Sequence, residues 1–103
     1  MPIVSVFYPN SDGSRFDHDY YRETHLPLVV ARWKPAGLVE APGYRGIAAA
    51  GGGTPPFHAL ALLHFPTEEA MNAALGGPDA PEVMGDIPKF TDVQPIIQVN
   101  EPY

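Results

Sequence analysis

The chain of 103 residues contains no cysteine. Disulfides, thiolate nucleophiles and Cys-ligated zinc or iron–sulfur centres are therefore excluded. Positive charge is scarce: six Lys+Arg stand against twelve Asp+Glu, a formal net charge of −6 with histidine neutral. Nucleic acid and anionic membrane surfaces call for clustered Lys/Arg, so neither is an expected partner. Long apolar runs are missing too, and none approaches the roughly 20 residues of a membrane span. Met1 to Asn10 has no basic region and no small-residue cleavage site, so no signal peptide is read and a cytoplasmic location is the expectation. With no internal repeat and no linker, residues 1–103 read as a single domain.

What is present is apolar and sharply punctuated. Hydrophobic residues make up 45% of the chain, too many for disorder. Ten glycines and thirteen prolines keep the elements short. A chain this small, without a disulfide or an evident metal, commonly completes its core by oligomerising.

Ile3 to Tyr8 is β-branched and aromatic and predicts a strand apolar on both faces. Asp17 is placed to N-cap a helix over about His18 to Trp33. Pro27 interrupts that helix, because its ring clashes with the carbonyl of Glu23 and it cannot donate to it. A kink, or a junction of two helical pieces, is expected around His25. Leu38 to Ala48 reads as a second strand broken at Pro42-Gly43, followed by a loop at 48–56. Phe57 to Phe65 is the third strand. Its alternation places His58, Leu60, Leu62 and His64 on one face and Phe57, Ala59, Ala61, Leu63 and Phe65 on the other. Thr67 N-caps a short helix with Ala70, Met71, Ala74 and Leu75 as its buried stripe, ended by Gly76-Gly77. Asp79-x-x-Glu82 resembles a capping box opening a further helical turn. Pro95 to Val99 is the last strand.

The order βαββαβ predicts a ferredoxin-like α+β fold, a four-stranded antiparallel sheet with its helices on one face. The strands are apolar on both faces while helices cover only one. The other face is expected to meet the sheet of an identical subunit, giving a homodimer and an α+β barrel.

Few residues carry chemistry. Gly51-Gly52-Gly53 is followed by Thr-Pro-Pro and is no P-loop, and there is no Gly-x-Ser-x-Gly elbow. His18 and His25 stand seven apart, not the four of a helical metal clamp. No metal site and no cofactor are expected. His25 is the first catalytic candidate, since imidazole exchanges protons near neutrality and the kink frees a carbonyl that would fix its tautomer. Tyr21 shares its face and is the tyrosine expected to act with it, while Tyr20 reads as core. Asp86 lies in a loop of mixed character, able to pair with a histidine or to cap a turn. Tyr8, Phe90 and His64 are the expected substrate contacts, with core packing the alternative for Phe90 and a surface or interface position for His64 and His58. Trp33 reads as packing at the helix end.

Two stretches carry a resemblance: Phe16-Asp17-x-x-Tyr20-Tyr21-x-x-x-His25-x-Pro27-Leu28, and Met84-Gly85-Asp86-Ile87-Pro88-x-Phe90-Thr91-Asp92-x-x-Pro95. Through them the chain resembles the EthD family, called after a gene of ethyl tert-butyl ether degradation. The resemblance spans nearly the whole length. It implies a dimeric α+β barrel with a cleft between sheet and helices into which His25 projects. It further implies a catabolic setting beside oxygenases or aromatic polyketide enzymes. Some related members act without cofactor as isomerases, dehydratases or decarboxylases. The expected function is thus proton-transfer chemistry on a small apolar aromatic or lactone-like ligand. The alternative is a non-catalytic accessory or ligand-binding protein for an oxygenase pathway, and a haem or metal protein is a third class without clustered ligands to support it.

Overall fold

The computed structural model describes residues 1–103. Its strands are β1 (Ile3–Pro9), β2 (Gly43–Arg45), β3 (Phe57–His64) and β4 (Ile96–Asn100). They form one antiparallel sheet in the order β2-β3-β1-β4. The helices are α1 (His18–Tyr20), α2 (Leu26–Trp33), α3 (Glu68–Leu75) and α4 (Ala80–Gly85). This is the βαββαβ ferredoxin-like arrangement read from the sequence. No helix is long and apolar enough to cross a membrane.

Between α1 and α2 lies a π-helical turn, Tyr21–His25, in which Leu26 N–H bonds Tyr21 C=O. Asp17 caps the assembly by accepting from Tyr20 N–H at 3.1 Å. Pro27 follows directly, so the expected irregularity around His25 takes the form of one widened turn. An i→i+5 bond stacks residues five apart, which an ordinary α-turn separates. Tyr20 and His25 are five apart.

One face of the sheet carries Val4, Val6 and Tyr8 of β1 beside Leu63, Ala61 and Ala59 of β3, and it packs under the helices. Val29 and Trp33 of α2, Met71 and Ala74 of α3 and Val83 of α4 close this core. Gly43 lets β2 approach α2, because a Cβ there would stand 2.6 Å from Leu26 Cδ1. Gly37, at φ 115°, ends the helical run after Trp33 in a conformation that favours glycine.

Three local expectations are corrected. The second strand is only Gly43–Arg45, with an isolated Glu40–His64 bridge before it; Pro42 has no N–H to continue the ladder. The register shifts at Tyr8/Pro9, and beyond that bulge His58 turns to the helix side, stacked on Phe16 at 5.3 Å. Phe57 takes the opposite side and lies 5.2 Å from Phe7. A one-residue slip exchanges faces in this way. Finally, no capping box forms: Asp79 makes no side-chain cap bond, and Glu82 pairs with Arg32 at 2.7 Å.

The sheet face away from the helices carries Phe7, Leu60, Leu62 and Ile96 around a polar centre. There Ser5 Oγ accepts from Asn100 Nδ2 at 2.8 Å.

Candidate functional site

The π-turn delivers His25 to the inside of the molecule. Its Nδ1 lies 2.9 Å from Asp86 Oδ2, and the two side chains are 4% and 7% exposed. Asp86 stands where α4 ends and a 3₁₀ turn, Ile87–Lys89, begins. That segment is fastened to the start of α1. Asp17 N–H bonds Phe90 C=O at 2.7 Å, Thr91 Oγ1 donates to Arg15 C=O at 2.6 Å, and Arg15 N–H bonds Asp92 Oδ1 at 2.9 Å. The same fastening brings Tyr20 Oη to Asp86 Oδ1, to which it donates at 2.8 Å. Lys89 Nζ stands 3.7 Å from that oxygen.

A carboxylate only accepts, so the contact makes Nδ1 the protonated nitrogen of a neutral His25 and leaves Nε2 with a lone pair. Trp33 Nε1 is the one fully enclosed side-chain polar atom without a partner. His25 Nε2 has no protein partner either, and it is not fully enclosed. Burial lowers the His25 pKa below its ordinary value, against the hydrogen bond and charge of Asp86, which raise it. Burial works to raise Asp86, yet the hydrogen bonds from His25 and Tyr20, with the charges of His25 and Lys89, hold it below its ordinary value. The pair is thus neutral imidazole and carboxylate at neutral pH.

A free space lies between sheet and helices and is open at one side; the room it leaves to the centre of a water-sized sphere is about 40 Å³. Its wall is apolar except for His25, with the aromatic residues Tyr8, Tyr21 and Trp33 among its members. Half-exposed Met84 and Ile97 also belong to the wall. Burial pushes the Tyr8 and Tyr21 hydroxyls up, so both stay protonated.

Of the expected residues, His25, Tyr21, Asp86 and Tyr8 come together here. Tyr21 touches His25 by ring stacking at 5.7 Å, and the hydroxyl bonded to Asp86 is that of Tyr20. The expectation that Tyr20 is merely core is corrected by the five-residue stacking of the π-turn, which an α-helical wheel hides. Asp86, not a carbonyl freed by the kink, fixes the His25 tautomer. Phe90 is fully buried behind the imidazole, 4.6 Å from it, and is no part of the cavity wall. His64 lies outside the site as well: it pairs with Ile3 at the far end of β3, on the other sheet face, 3.9 Å from Glu40. No group of three or more His, Cys, Asp or Glu is arranged to hold a metal ion.

The EthD domain model matches residues 14–94. An EthD-like protein from Ralstonia eutropha is similar in structure, with 35% identity and a TM-score of 0.88 over 97% of this chain and 89% of that one. An ethyl tert-butyl ether degradation (EthD) family protein from Bacillus halodurans has 18% identity and a TM-score of 0.79, covering 100% and 99% of the two chains. SnoaB, a cofactor-independent oxygenase from Streptomyces nogalater, shares the fold at 12% identity and a TM-score of 0.67, covering 98% and 90%. No protein of curated function matches the chain.

Proposed function

The chain belongs to the EthD family, and from that premise we propose that it is a cofactor-independent enzyme of proton transfer, acting on a small apolar ring compound with a carbonyl group. One observation carries this reading: a neutral imidazole, oriented through Nδ1 by a buried carboxylate and with no protein partner at Nε2, lines an otherwise apolar cavity. In such surroundings Nε2 is the one side-chain base along the cavity wall.

The step follows from that inventory. Nε2 takes a proton from the carbon next to the carbonyl. The C–H electron pair moves into the new C=C bond, and the carbonyl π pair moves onto oxygen, giving an enolate. Asp86 stabilises the imidazolium formed, and Tyr20 and Lys89 hold Asp86 ionised and in place. Returning the proton to another carbon isomerises the compound; loss of a hydroxide from the next carbon, protonated on leaving, dehydrates it. Tyr21 and Tyr8 contact the ring, and Phe90 backs the imidazole.

The test is deuterium uptake from D₂O into a panel of cyclic ketones and lactones, followed by mass spectrometry. The wild-type protein is expected to exchange the carbon-bound protons next to the carbonyl, and His25→Ala is expected to lose that activity while keeping its fold. Exchange that persists in His25→Ala contradicts the assignment. Ligand binding without any exchange by the wild type favours the accessory, ligand-sequestering role instead.

The active unit in this reading is a homodimer closed through the helix-free sheet face. Phe7, Leu60, Leu62 and Ile96 give that face an apolar surface that a second copy of the same sheet would cover.

A further inference from the structure

The chain has only six Lys and Arg, yet two of them meet His18 at one cavity. This cavity lies beside β2, the edge strand of the sheet, and is distinct from that of His25. Its charged wall residues are Arg22 and Arg45, and no carboxylate residue lines it. In a chain of net charge −6 such a gathering of cations is the exception. His18 and Arg22 stand four apart at the start of the helical run and so share one side of it. Arg45 is paired with Ala59, a core residue, so the register sets Arg45 on the helix side of the sheet. Its charge reaches His18. Burial first, then the charges of Arg45 and His58, hold that imidazole below its ordinary pKa, against Asp19 and Asp17.

The cations are poorly matched within the chain. Arg45 takes part in none of the ion pairs. Arg22 meets Asp19 at 3.1 Å and Glu23 at 3.3 Å, both pairs exposed and of the weak kind that a ligand anion can replace. The room left to the centre of a water-sized sphere is about 110 Å³, against roughly 10–15 Å³ for a single water. Leu26 and Ala59 give the cavity an apolar side. Tyr21 and Leu26 also line the His25 cavity, so the two spaces share a wall.

We propose that this cavity binds a small organic carboxylate, its oxygens taken by Arg45 and Arg22 beside His18 and its apolar body received by Leu26 and Ala59. Guanidinium matches a planar carboxylate with two parallel hydrogen bonds. Inorganic phosphate would use the cations but not the apolar side. The site goes beyond the proton-transfer reading and does not rest on it.

The experiment titrates the full chain, ¹⁵N-labelled at histidine and arginine, with benzoate, benzyl alcohol and inorganic phosphate at low ionic strength. Benzoate is expected to bind once per chain and to move the side-chain signals of Arg45 and His18. His64, at the far end of β3, should stay unmoved. The His18 pKa should rise, because a bound anion adds to Asp17 and Asp19 and offsets Arg45, Arg22 and His58. Benzyl alcohol, of equal ring size but neutral, should leave both signals in place. Phosphate should bind about tenfold more weakly than benzoate, lacking the apolar body. Arg45→Gln should weaken benzoate about tenfold or more, the loss of a charge-assisted hydrogen bond. Lys34→Gln removes the same charge beyond the end of α2 and should bind as the wild type does. Benzyl alcohol moving the same signals, phosphate binding as tightly as benzoate, unchanged affinity in Arg45→Gln, an equal loss in Lys34→Gln, or no response to benzoate overturns the proposal.

Discussion

His25 is buried beside a carboxylate, and the two influences on it oppose each other. Burial prevails and keeps the ring neutral below its ordinary pKa of 6.5. In the proposed reaction the rate should then fall on acidification with a midpoint below 6.5. Asp86→Asn removes the hydrogen bond and the charge that favour imidazolium. The midpoint should move to still lower pH, and the rate at neutral pH should drop by about two to four orders of magnitude. A pH–rate profile of deuterium uptake checks both. Stability follows from the same residues. Between 6.5 and the lower folded value of His25, the unfolded chain binds a proton that the folded chain does not, so stability declines as pH falls through that window. Asp86 contributes at lower pH: its folded value lies below 3.8, and its contribution is lost as pH falls through that folded value. Urea unfolding of wild type and His25→Gln at pH 7.5 and 5.5 should show a smaller pH effect in the variant. His25 itself was legible as a base, because imidazole beside a proline-broken helix is conspicuous in sequence. Tyr20 was not, since its link to Asp86 spans 66 positions.

The π-turn is the element on which the site depends. Tyr20 reaches Asp86 and His25 reaches the cavity because residues five apart are stacked there. Deleting the exposed Thr24 should convert Tyr21–His25 to α-helix, rotate Tyr20 away from His25 and abolish deuterium uptake with helical content retained by circular dichroism. Unchanged uptake would show that the widened turn is dispensable. Proline chemistry announced an irregularity but not its kind, since a kink, a break and a π-turn all relieve the clash at Glu23. At α3 the local signal was complete. Thr67 accepts from Ala70 N–H at 3.1 Å as its position ahead of Glu68 and Glu69 implied. Thr67→Ala should cost about 1 kcal/mol, seen as a fall in Tm. The Asp79–Glu82 spacing carried the same kind of signal and misled, because Arg32, 50 positions away, offers Glu82 a stronger partner than a backbone amide.

At the scale of the whole molecule, alternation and element order were enough to specify the sheet. The βαββαβ succession admits few antiparallel arrangements, whereas apolarity on both strand faces was read too broadly: the helix-free face sets Ser5, Gln98 and Asn100 among Phe7, Leu60, Leu62 and Ile96. Face assignment failed only past the Tyr8/Pro9 register shift, where one residue exchanges His58 with Phe57. The proposed dimer makes a direct prediction. Leu62, opposite Ser5 in the helix-free face, becomes a buried charge in Leu62→Lys. Light scattering should find the wild type at twice the chain mass and the variant monomeric. A monomeric wild type would refute the dimer.

The state of the His25 ring tests the central claim most directly. In ¹⁵N spectra of histidine-labelled protein at pH 7, Nδ1 should be protonated and Nε2 bare, with a titration midpoint below 6.5 that falls further in Asp86→Asn. An imidazolium at pH 7, or a proton on Nε2 in place of Nδ1, would contradict it.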